Sequence, residues 1–274
     1  QTAADALTAG ATADDVFYYK AAGATTTLTI TVTGLGPLAA NDTGAVNEDA
    51  TVTGTGTVSG TGVLGNDDNG GASYESEDST LRVTQAKPDG GSYTSVASGG
   101  SSSIVGTYGT LTLYSTGEYS YTPNNSTAQA LDDGATATET FVYEIKDDDD
   151  VNASTANLVF TITGVNDDIT AVDDTDSLDE GTSVIRDNTS ASSLDYDDTD
   201  PDSGNTYATH QITAIRLGNT EGAGTAGTIG EPLKGTYGRL TVFADGSYIY
   251  QANNNILDGN GDRIIAGDTV TDTF

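Results

Sequence analysis

The sequence contains no cysteine, methionine or tryptophan, and only nine of its 274 residues are lysine or arginine. Without cysteine the chain can form no disulfide and no Cys-ligated zinc site, and it has no thiol nucleophile. The 41 Asp and Glu residues bring the formal net charge to −32, which excludes electrostatic binding to nucleic acid and disfavours docking on anionic lipid. Apolar runs are far shorter than the roughly 20 residues of a membrane-spanning helix. Stability must therefore come from a buried core or from bound ions.

Internal repetition organises the chain. The segment 106–121 returns at 235–250, an offset of 129 residues, and the segment 7–19 matches 131–143 at an offset of 124. A third, partial copy of the second block stops at Phe274. Repeats of this length indicate repeated structural units. We therefore divide the chain into the C-terminal strands of a preceding repeat (1–36), a complete repeat (37–168) and a repeat that lacks its last strands (169–274).

The repeats have the composition of β-strands. Fourteen tyrosines and many Val, Ile and Thr residues alternate with polar residues in short runs, while 34 glycines and the absence of a helical apolar period disfavour helices. A turn at Gly117 is expected to join two strands of a hairpin. In the complete repeat we predict seven strands, at 51–58, 80–86, 92–97, 110–115, 118–122, 139–145 and 157–163. This pattern favours an all-β fold of tandem immunoglobulin-like (Greek-key) β-sandwich repeats, and a meander or an OB-like barrel is the alternative.

Acidic residues concentrate at the boundaries of the repeats. Close carboxylates repel one another, by roughly 1 kcal/mol per pair at 4 Å even in water, and a divalent cation removes that repulsion. Calcium takes 6–8 oxygen ligands, and the alternate acids of Asp198, Asp200 and Asp202 before Gly204 could converge on one ion. The alternative is a solvated acidic surface that keeps the protein soluble. Because the clusters fall at equivalent points of successive repeats, we favour calcium.

Several motifs together resemble the VCBS or cadherin-like tandem repeats of large secreted bacterial RTX-type adhesins. They are Val63-Leu-Gly-Asn-Asp67, Gly117-Glu-Tyr-Ser-Tyr-Thr-Pro123, Phe141-Val-Tyr-Glu-Ile-Lys-Asp147 and Thr161-Ile-Thr-Gly-Val-Asn-Asp167. The resemblance covers essentially the whole chain in register. It implies immunoglobulin-like sandwiches strung in arrays, calcium at the joints, and export from a Gram-negative cell.

The resemblance also implies which residues hold calcium. The acidic linker of that family corresponds here to Asn166, Asp167, Asp173, Asp174 and Glu180. Its early acidic loop corresponds to Asn66 and Asp67, or to the Asp198–Asp202 run. With Asp147, at the start of the Asp147–Asp150 run, these residues form the predicted metal-ligating set. The joint after residues 1–36 has Gly34-Leu-Gly-Pro37 in place of the acidic linker and is expected to bind fewer ions or none.

No catalytic constellation is evident in the sequence. The single histidine, His210, lies in a predicted strand at 207–213, where a surface or cross-strand position is expected. Tyrosines 108, 119, 121, 237, 248 and 250 could form a sugar-stacking platform, but their alternation favours packing in a core.

We therefore expect a non-enzymatic extracellular segment, the stalk of an adhesin or the body of a bacterial surface filament. Its expected partners are its own repeats and, less directly, surface or matrix glycans. The rival interpretation is a carbohydrate-binding module of a secreted protein. Residues 1–36 match what 169–274 lacks, so head-to-tail strand complementation between copies is a further hypothesis. Its alternative is that the chain is a window of a longer array.

Overall fold

The structure is a computed structural model. It describes residues 7, 10–55, 61–68, 81–147, 152–189, 191, 193–202, 210–220, 222–254 and 256–274. It is all-β, with 43% of the described residues in strands or isolated bridges. Among the described residues, no helix has the length and apolar character needed to cross a bilayer. The chain divides into two compact units, unit 1 (Gln1–Val165) and unit 2 (Asn166–Phe274).

Unit 1 contains eleven of the described strands. They are β1 (Thr12–Ala21), β2 (Ala24–Thr33), β3 (Asp42–Asn47), β4 (Val52–Gly54), β5 (Arg82–Pro88), β6 (Thr94–Ser95), β7 (Ser101–Val105), β8 (Thr110–Tyr114), β9 (Tyr119–Thr122), β10 (Thr136–Lys146) and β11 (Ala153–Thr163). Strands β3 to β11 form a five-stranded sheet in the order β3-β11-β10-β5-β6 and a four-stranded sheet in the order β4-β9-β8-β7. All neighbours are antiparallel except β3 and β11, which are parallel.

One core lies between these two sheets. The alternation predicted from the sequence is present, because every second residue of β10 from Glu139 to Ile145 is buried while its neighbours are half-buried. Phe160 of β11 stacks on Tyr121 of β9, with ring centroids 4.2 Å apart and planes at 11°. Aromatic packing across the two sheets thus joins them into an arrangement consistent with a β-sandwich.

The predicted hairpin at Gly117 is confirmed. β8 and β9 pair antiparallel on either side of it, and Gly117 has a φ of +85°. A Cβ at this position would lie 2.6 Å from the Leu64 side chain, so both the backbone conformation and the close packing require glycine.

Two strands of the complete repeat (37–168), β3 and β7, were not among the seven predicted there. β3 begins with Asp-Thr-Gly and β7 with three serines, residues with low strand propensity. Each is held mainly by its neighbour: β3 pairs with β11, and β7 pairs with β8 over all five of its residues. Tertiary pairing overrides local propensity in both cases.

A buried carboxylate holds the turn before β8. Glu139 is only 4% exposed, and one of its oxygens accepts hydrogen bonds from the backbone N–H of Thr107 and of Tyr108. The other accepts from the Gly109 N–H at 3.2 Å and from the Tyr121 hydroxyl at 2.6 Å. We call this arrangement the carboxylate clamp; it ties β10 to both ends of the β8–β9 hairpin.

The first two strands form a separate hairpin. β1 and β2 make a two-stranded sheet whose residues are all exposed. Their register, with Phe17 opposite Leu28, matches that of β10 and β11, in which Phe141 is opposite Leu158. The β1–β2 hairpin is therefore a copy of β10–β11 without the second sheet that covers β10–β11 in unit 1.

Unit 2 repeats part of this architecture. Its strands are β12 (Ser183–Arg186), β13 (Arg216–Leu217), β14 (Thr225–Ala226), β15 (Leu233–Lys234), β16 (Gly238–Val242) and β17 (Tyr248–Ala252). The sheet β12-β17-β16-β15 has the order of β4-β9-β8-β7, and the β13–β14 pair corresponds to β5–β6. Asp272 forms the equivalent clamp, accepting hydrogen bonds from the N–H groups of Thr236 and Tyr237 and from the Tyr250 hydroxyl. No counterpart of β10 or β11 is among the strands described in unit 2.

Candidate metal centres

Two carboxylates of unit 1 meet at the hydroxyl of Tyr143. Asp42 starts β3, Asp67 lies in the loop 61–68, and Tyr143 comes from β10. The Tyr143 hydroxyl is 2.8 Å from Asp42 Oδ2 and 3.2 Å from Asp67 Oδ1. The N–H of Ala40 donates to Asp67 Oδ1 at 2.7 Å. We call Asp42 and Asp67 the carboxylate pair.

Burial shifts the titration of both members of this pair. Burial raises the pKa of Asp42 to about 6; the hydrogen bond from Tyr143 opposes this shift and the charge of Asp67 adds to it. Burial likewise raises the pKa of Asp67, against hydrogen bonds from Ala40 and Tyr143. The pKa of the Tyr143 hydroxyl is raised by burial and by both carboxylates, so this group remains a neutral donor. A cation bound here would stabilise the site, because it would balance the charges of the two carboxylates.

The predicted ligand Asn66 lies beside this pair. Its side-chain amide donates to the carbonyl of Asn41 at 3.0 Å. The side-chain oxygen of Asn41 in turn accepts from the N–H of Asn157 at 3.0 Å. Asn66 and Asp67 are thus held next to residues 41 and 42.

Unit 2 contains the same arrangement in its backbone. The isolated bridge between Thr170 and Thr199 repeats the bridge between Leu38 and Asp68. The Val172 N–H donates to Asp198 Oδ1 at 2.8 Å, as Ala40 does to Asp67. Asp174 and Asp198 therefore occupy the positions of Asp42 and Asp67, at offsets of 132 and 131 residues.

The carboxylates around Asp174 are more numerous than those around Asp42. We call the group the second acidic cluster; its members are Asp173, Asp174, Asp195, Asp197 and Asp198. Burial raises the pKa of Asp174 to about 6, and the charges of the other four add to the shift. β10, which supplies Tyr143 in unit 1, has no counterpart among the described strands here.

Asp195 is the most buried member of this cluster. Its side chain is only 1% exposed. The Ser193 hydroxyl donates to Asp195 Oδ1 at 2.9 Å, while no described residue hydrogen-bonds to Oδ2. Burying a carboxylate oxygen without a partner costs free energy unless a cation or water satisfies it. Hard oxygen donors in this number suit calcium or magnesium better than a transition metal.

A third acidic group contains three of the predicted ligands. The N–H of Asp167 donates to Asp202 Oδ2 at 3.2 Å, and the N–H of Asp202 donates to Asp200 Oδ1 at 3.0 Å. Carboxylate oxygens of Asp167 and Asp202 lie within 4.8 Å of each other. Asp202 is 2% exposed, and its Oδ1 has no hydrogen-bond partner among the described residues. Buried acids that could hold a metal ion are therefore present, and nothing in their geometry identifies the ion as calcium.

The remaining predicted ligands are Asn166, Glu180 and Asp147, and the first of them bonds to a member of the third acidic group. Asn166 donates to the carbonyl of Asp167 at 2.7 Å. Glu180 accepts from the N–H of Ile256 and lies 3.8 Å from the Arg263 guanidinium. Asp147 follows β10 and is half-buried, while residues 148–150 of the same acidic run lie outside the described residues.

Four residues that shape the sites were missing from the predicted set: Asp42, Tyr143, Asp195 and Asp197. A signal for the first was available, because shifting the first acidic boundary by 132 residues superimposes Asp42 on Asp174. The same offset could not identify Tyr143. Its role depends on β10 running beside β5 and on the loop 61–68 reaching over the sheet end, which only the tertiary structure shows.

The raised pKa values predict an inverted pH dependence for the protein in a chelator. Asp42 and Asp174 hold a proton more tightly when folded, at about 6 against a model-compound value of 3.8. The stability that these two groups contribute is therefore fully present below about pH 4 and is lost as the pH rises through 6. Each group contributes about 1 kcal/mol after allowance for solvent screening. Thermal melts in EDTA should give a higher Tm at pH 5 than at pH 7.5; a Tm that falls on acidification would contradict the assignment.

His210 and the tyrosines bear on rival functions. His210 is only 9% exposed and residues 210–213 lie in no described strand, so the expected surface or cross-strand position is not observed; residues 207–209 of the predicted strand lie outside the described residues. Tyr119, Tyr121 and Tyr248 are buried. Tyr108, Tyr237 and Tyr250 are half-buried. The expected packing in the cores is confirmed for Tyr108, Tyr119, Tyr121, Tyr248 and Tyr250, and the six tyrosines offer no exposed platform for a sugar.

Comparison with known proteins identifies no family for this chain. The sequence matches no protein-family model and no curated protein. Among solved structures, an endo-fucoidan hydrolase from glycoside hydrolase family 107 aligns with 89% of this chain at 10% identity and a TM-score of 0.27. This chain spans about 30% of the length of that protein. A TM-score of 0.27 does not establish a common fold, so the activity of that hydrolase carries no implication for this chain.

Proposed function

We propose that the chain is a non-enzymatic, extracellular structural segment. Its tandem immunoglobulin-like β-sandwich repeats, made rigid by calcium, would form the stalk of an adhesin or the body of a filament on a Gram-negative bacterium. The observation that carries this proposal is the recurrence of one acidic arrangement in both units: Asp42 with Asp67, and Asp174 with Asp198, each beside an equivalent backbone bridge.

Bound calcium would explain why this acidic arrangement occurs in both units. A chain with a net charge of −32 repels itself, and the second acidic cluster concentrates five of those charges. A bound divalent ion replaces the repulsion with shared ligation and satisfies the orphaned Asp195 oxygen. Extracellular calcium is abundant enough for the weak sites, with Kd of 10⁻⁴–10⁻³ M, that are typical of extracellular modules. The resemblance to adhesin repeats noted above supports the same function.

Melting the purified chain with calcium and with EDTA tests the proposal. At a calcium concentration about 100 times the Kd, binding adds about 2.7 kcal/mol, which corresponds to a rise in Tm of roughly 5–10 °C for units of this size. Magnesium at the same concentration should give a smaller rise.

Variants assign the calcium effect to the cluster. Asp174→Asn should raise the Tm in EDTA, because it removes a repelling charge, and should reduce the calcium-induced rise. Asp89→Asn, at an exposed site after β5, is the matched control and should change neither value by more than about 1 °C. An unchanged Tm on calcium addition would overturn the calcium part of the proposal.

A further inference from the structure

The loop next to the acidic site is attached in the same way in both units. The Val63 N–H donates to the carbonyl of Gly117, and the Leu194 N–H donates to the carbonyl of Gly246. Both glycines lie in the turn of a hairpin, which is β8–β9 in unit 1 and β16–β17 in unit 2. The two loops can therefore be compared residue by residue, at a constant offset of 131 residues.

Asp195 lies where unit 1 has a leucine of its core. The counterpart of Asp195 is Leu64, which is 2% exposed and packs in the hydrophobic core. A Cβ on Gly117 would lie 2.6 Å from Leu64 Cγ, and a Cβ on Gly246 would lie 2.4 Å from Asp195 Oδ1. The two side chains therefore pack against equivalent hairpin turns, one with an apolar group and the other with a carboxylate.

Two more acids of unit 2 have neutral counterparts in unit 1. Asp173 corresponds to Asn41, and Asp197 corresponds to Asn66. Together with Asp195, these residues add three carboxylates to the two that both units share. The carboxylate pair of unit 1 therefore contains two acids, whereas the second acidic cluster contains five.

A buried carboxylate in place of a leucine costs free energy unless a cation binds it. Asp195 is 1% exposed. The Ser193 hydroxyl donates to its Oδ1, but no described residue hydrogen-bonds to its Oδ2. The charge of Asp195 acts on Asp174, so its carboxylate lies near the other acids of the cluster. The buried oxygen without a hydrogen bond is thus placed to bind an ion held by the cluster.

We propose that Asp195 causes the second acidic cluster to fill with calcium before the carboxylate pair does. The inference rests on the calcium sites of the proposed function and adds the order in which they fill. Calcium affinity depends on the number of charged ligands, and a carboxylate shielded from water attracts the ion more strongly than an exposed one. Over a range of calcium concentrations, the site in unit 2 is therefore loaded while the site in unit 1 is not.

The carboxylate pair is the site that responds to changes in calcium at higher concentration. Protein groups already donate to both of its members: the Tyr143 hydroxyl lies 2.8 Å from Asp42 Oδ2, and the Ala40 N–H donates to Asp67 Oδ1 at 2.7 Å. An ion bound here must share these oxygens with existing hydrogen bonds. We therefore expect the pair to have a Kd in the weak range of 10⁻⁴–10⁻³ M that is typical of extracellular modules.

Equilibrium dialysis of the full chain against a series of calcium concentrations tests this order. The calcium lost in Asp195→Leu reports the filling of the second acidic cluster, and the calcium lost in Asp42→Asn reports that of the carboxylate pair; any other site cancels in these differences. The first loss should reach half its largest value at a calcium concentration at least about 10-fold lower than the second. Leucine fits this place in unit 1, so Asp195→Leu should melt in EDTA at or above the wild-type Tm. Asp197→Asn, at an exposed position, repeats the measurement outside the core.

Two further variants separate the cluster from net charge. Glu231→Gln removes one negative charge of unit 2 at an exposed position between β14 and β15, and it should leave the binding curve unchanged. Asn66→Asp gives unit 1 the acid that unit 2 has at Asp197, and it should lower the midpoint of the carboxylate pair by at least about 5-fold. Coincident midpoints, or earlier filling of the carboxylate pair, overturn the inference and leave calcium in the proposed function. A chain that binds no calcium at any concentration overturns both.

Discussion

Replacing Phe160 with alanine should destabilise unit 1 by about 3–5 kcal/mol, the range for removal of a buried aromatic ring. Phe160 is completely buried in β11. It stacks on Tyr121 and makes edge-to-face contacts with Tyr119 at 5.5 Å and with Phe141 at 6.2 Å. The substitution therefore removes the ring on which three aromatic side chains from both sheets converge. Equilibrium denaturation of the full chain, followed by near-ultraviolet circular dichroism of the tyrosines, measures the loss.

The hairpin provides the matched control for this substitution. Ile30 has the position of Phe160 in β2 and is 47% exposed. In dilute protein, Ile30→Ala should change the free energy of unfolding by no more than about 0.5 kcal/mol. Equal effects of the two substitutions would mean that the hairpin is already packed within the isolated chain.

Of the features of the fold, the internal repeat was the easiest to recognise in the sequence. The hairpin at Gly117, the β10 and β11 pair and the alternation of buried residues follow from local patterns of apolar, Thr and Gly residues. β3 was missed because its residues favour turns, and it becomes a strand only through parallel pairing with β11. Sequence matching also paired residues 7–19 with 131–143, but the fact that the hairpin is exposed is a property of packing.

The residues of the candidate sites were only partly predictable from the sequence. Asp67, Asp174 and Asp198 were predicted as ligands from the recurring acidic clusters and from the resemblance, and the structure places each of them near other carboxylates. The sequence did not distinguish them from Glu180, which instead accepts from Ile256 and lies near Arg263. The density of acidic residues can be counted in a sequence. The direction of each carboxylate depends on loops that come together from distant segments of the chain.

Replacing Glu139 with glutamine should cost about 2–4 kcal/mol, because the clamp requires an acceptor at both side-chain oxygens. A glutamine amide can accept from Thr107 and Tyr108 with its single oxygen, but its NH₂ group would then face the Gly109 N–H, which loses its acceptor, and the Tyr121 hydroxyl, which would have to turn and accept instead of donating to a carboxylate. Each buried donor left without an acceptor costs about 1–3 kcal/mol. The closeness of the fit adds to the effect, since a Cβ at Gly106 would lie 2.3 Å from the carboxylate.

Two matched variants separate the clamp from the loss of a negative charge. Asp15→Asn removes a charge at the equivalent position of the exposed hairpin and should change stability by less than about 0.5 kcal/mol. Asp272→Asn breaks the clamp of unit 2, but Asp272 is only half-buried, so its cost should lie between the other two. Urea denaturation at pH 7 in EDTA measures all three, and a cost that followed charge alone would make them equal. The order Glu139, Asp272, Asp15 instead follows the burial of the clamp, because the free energy of each hydrogen bond depends on how completely water is excluded from its donors.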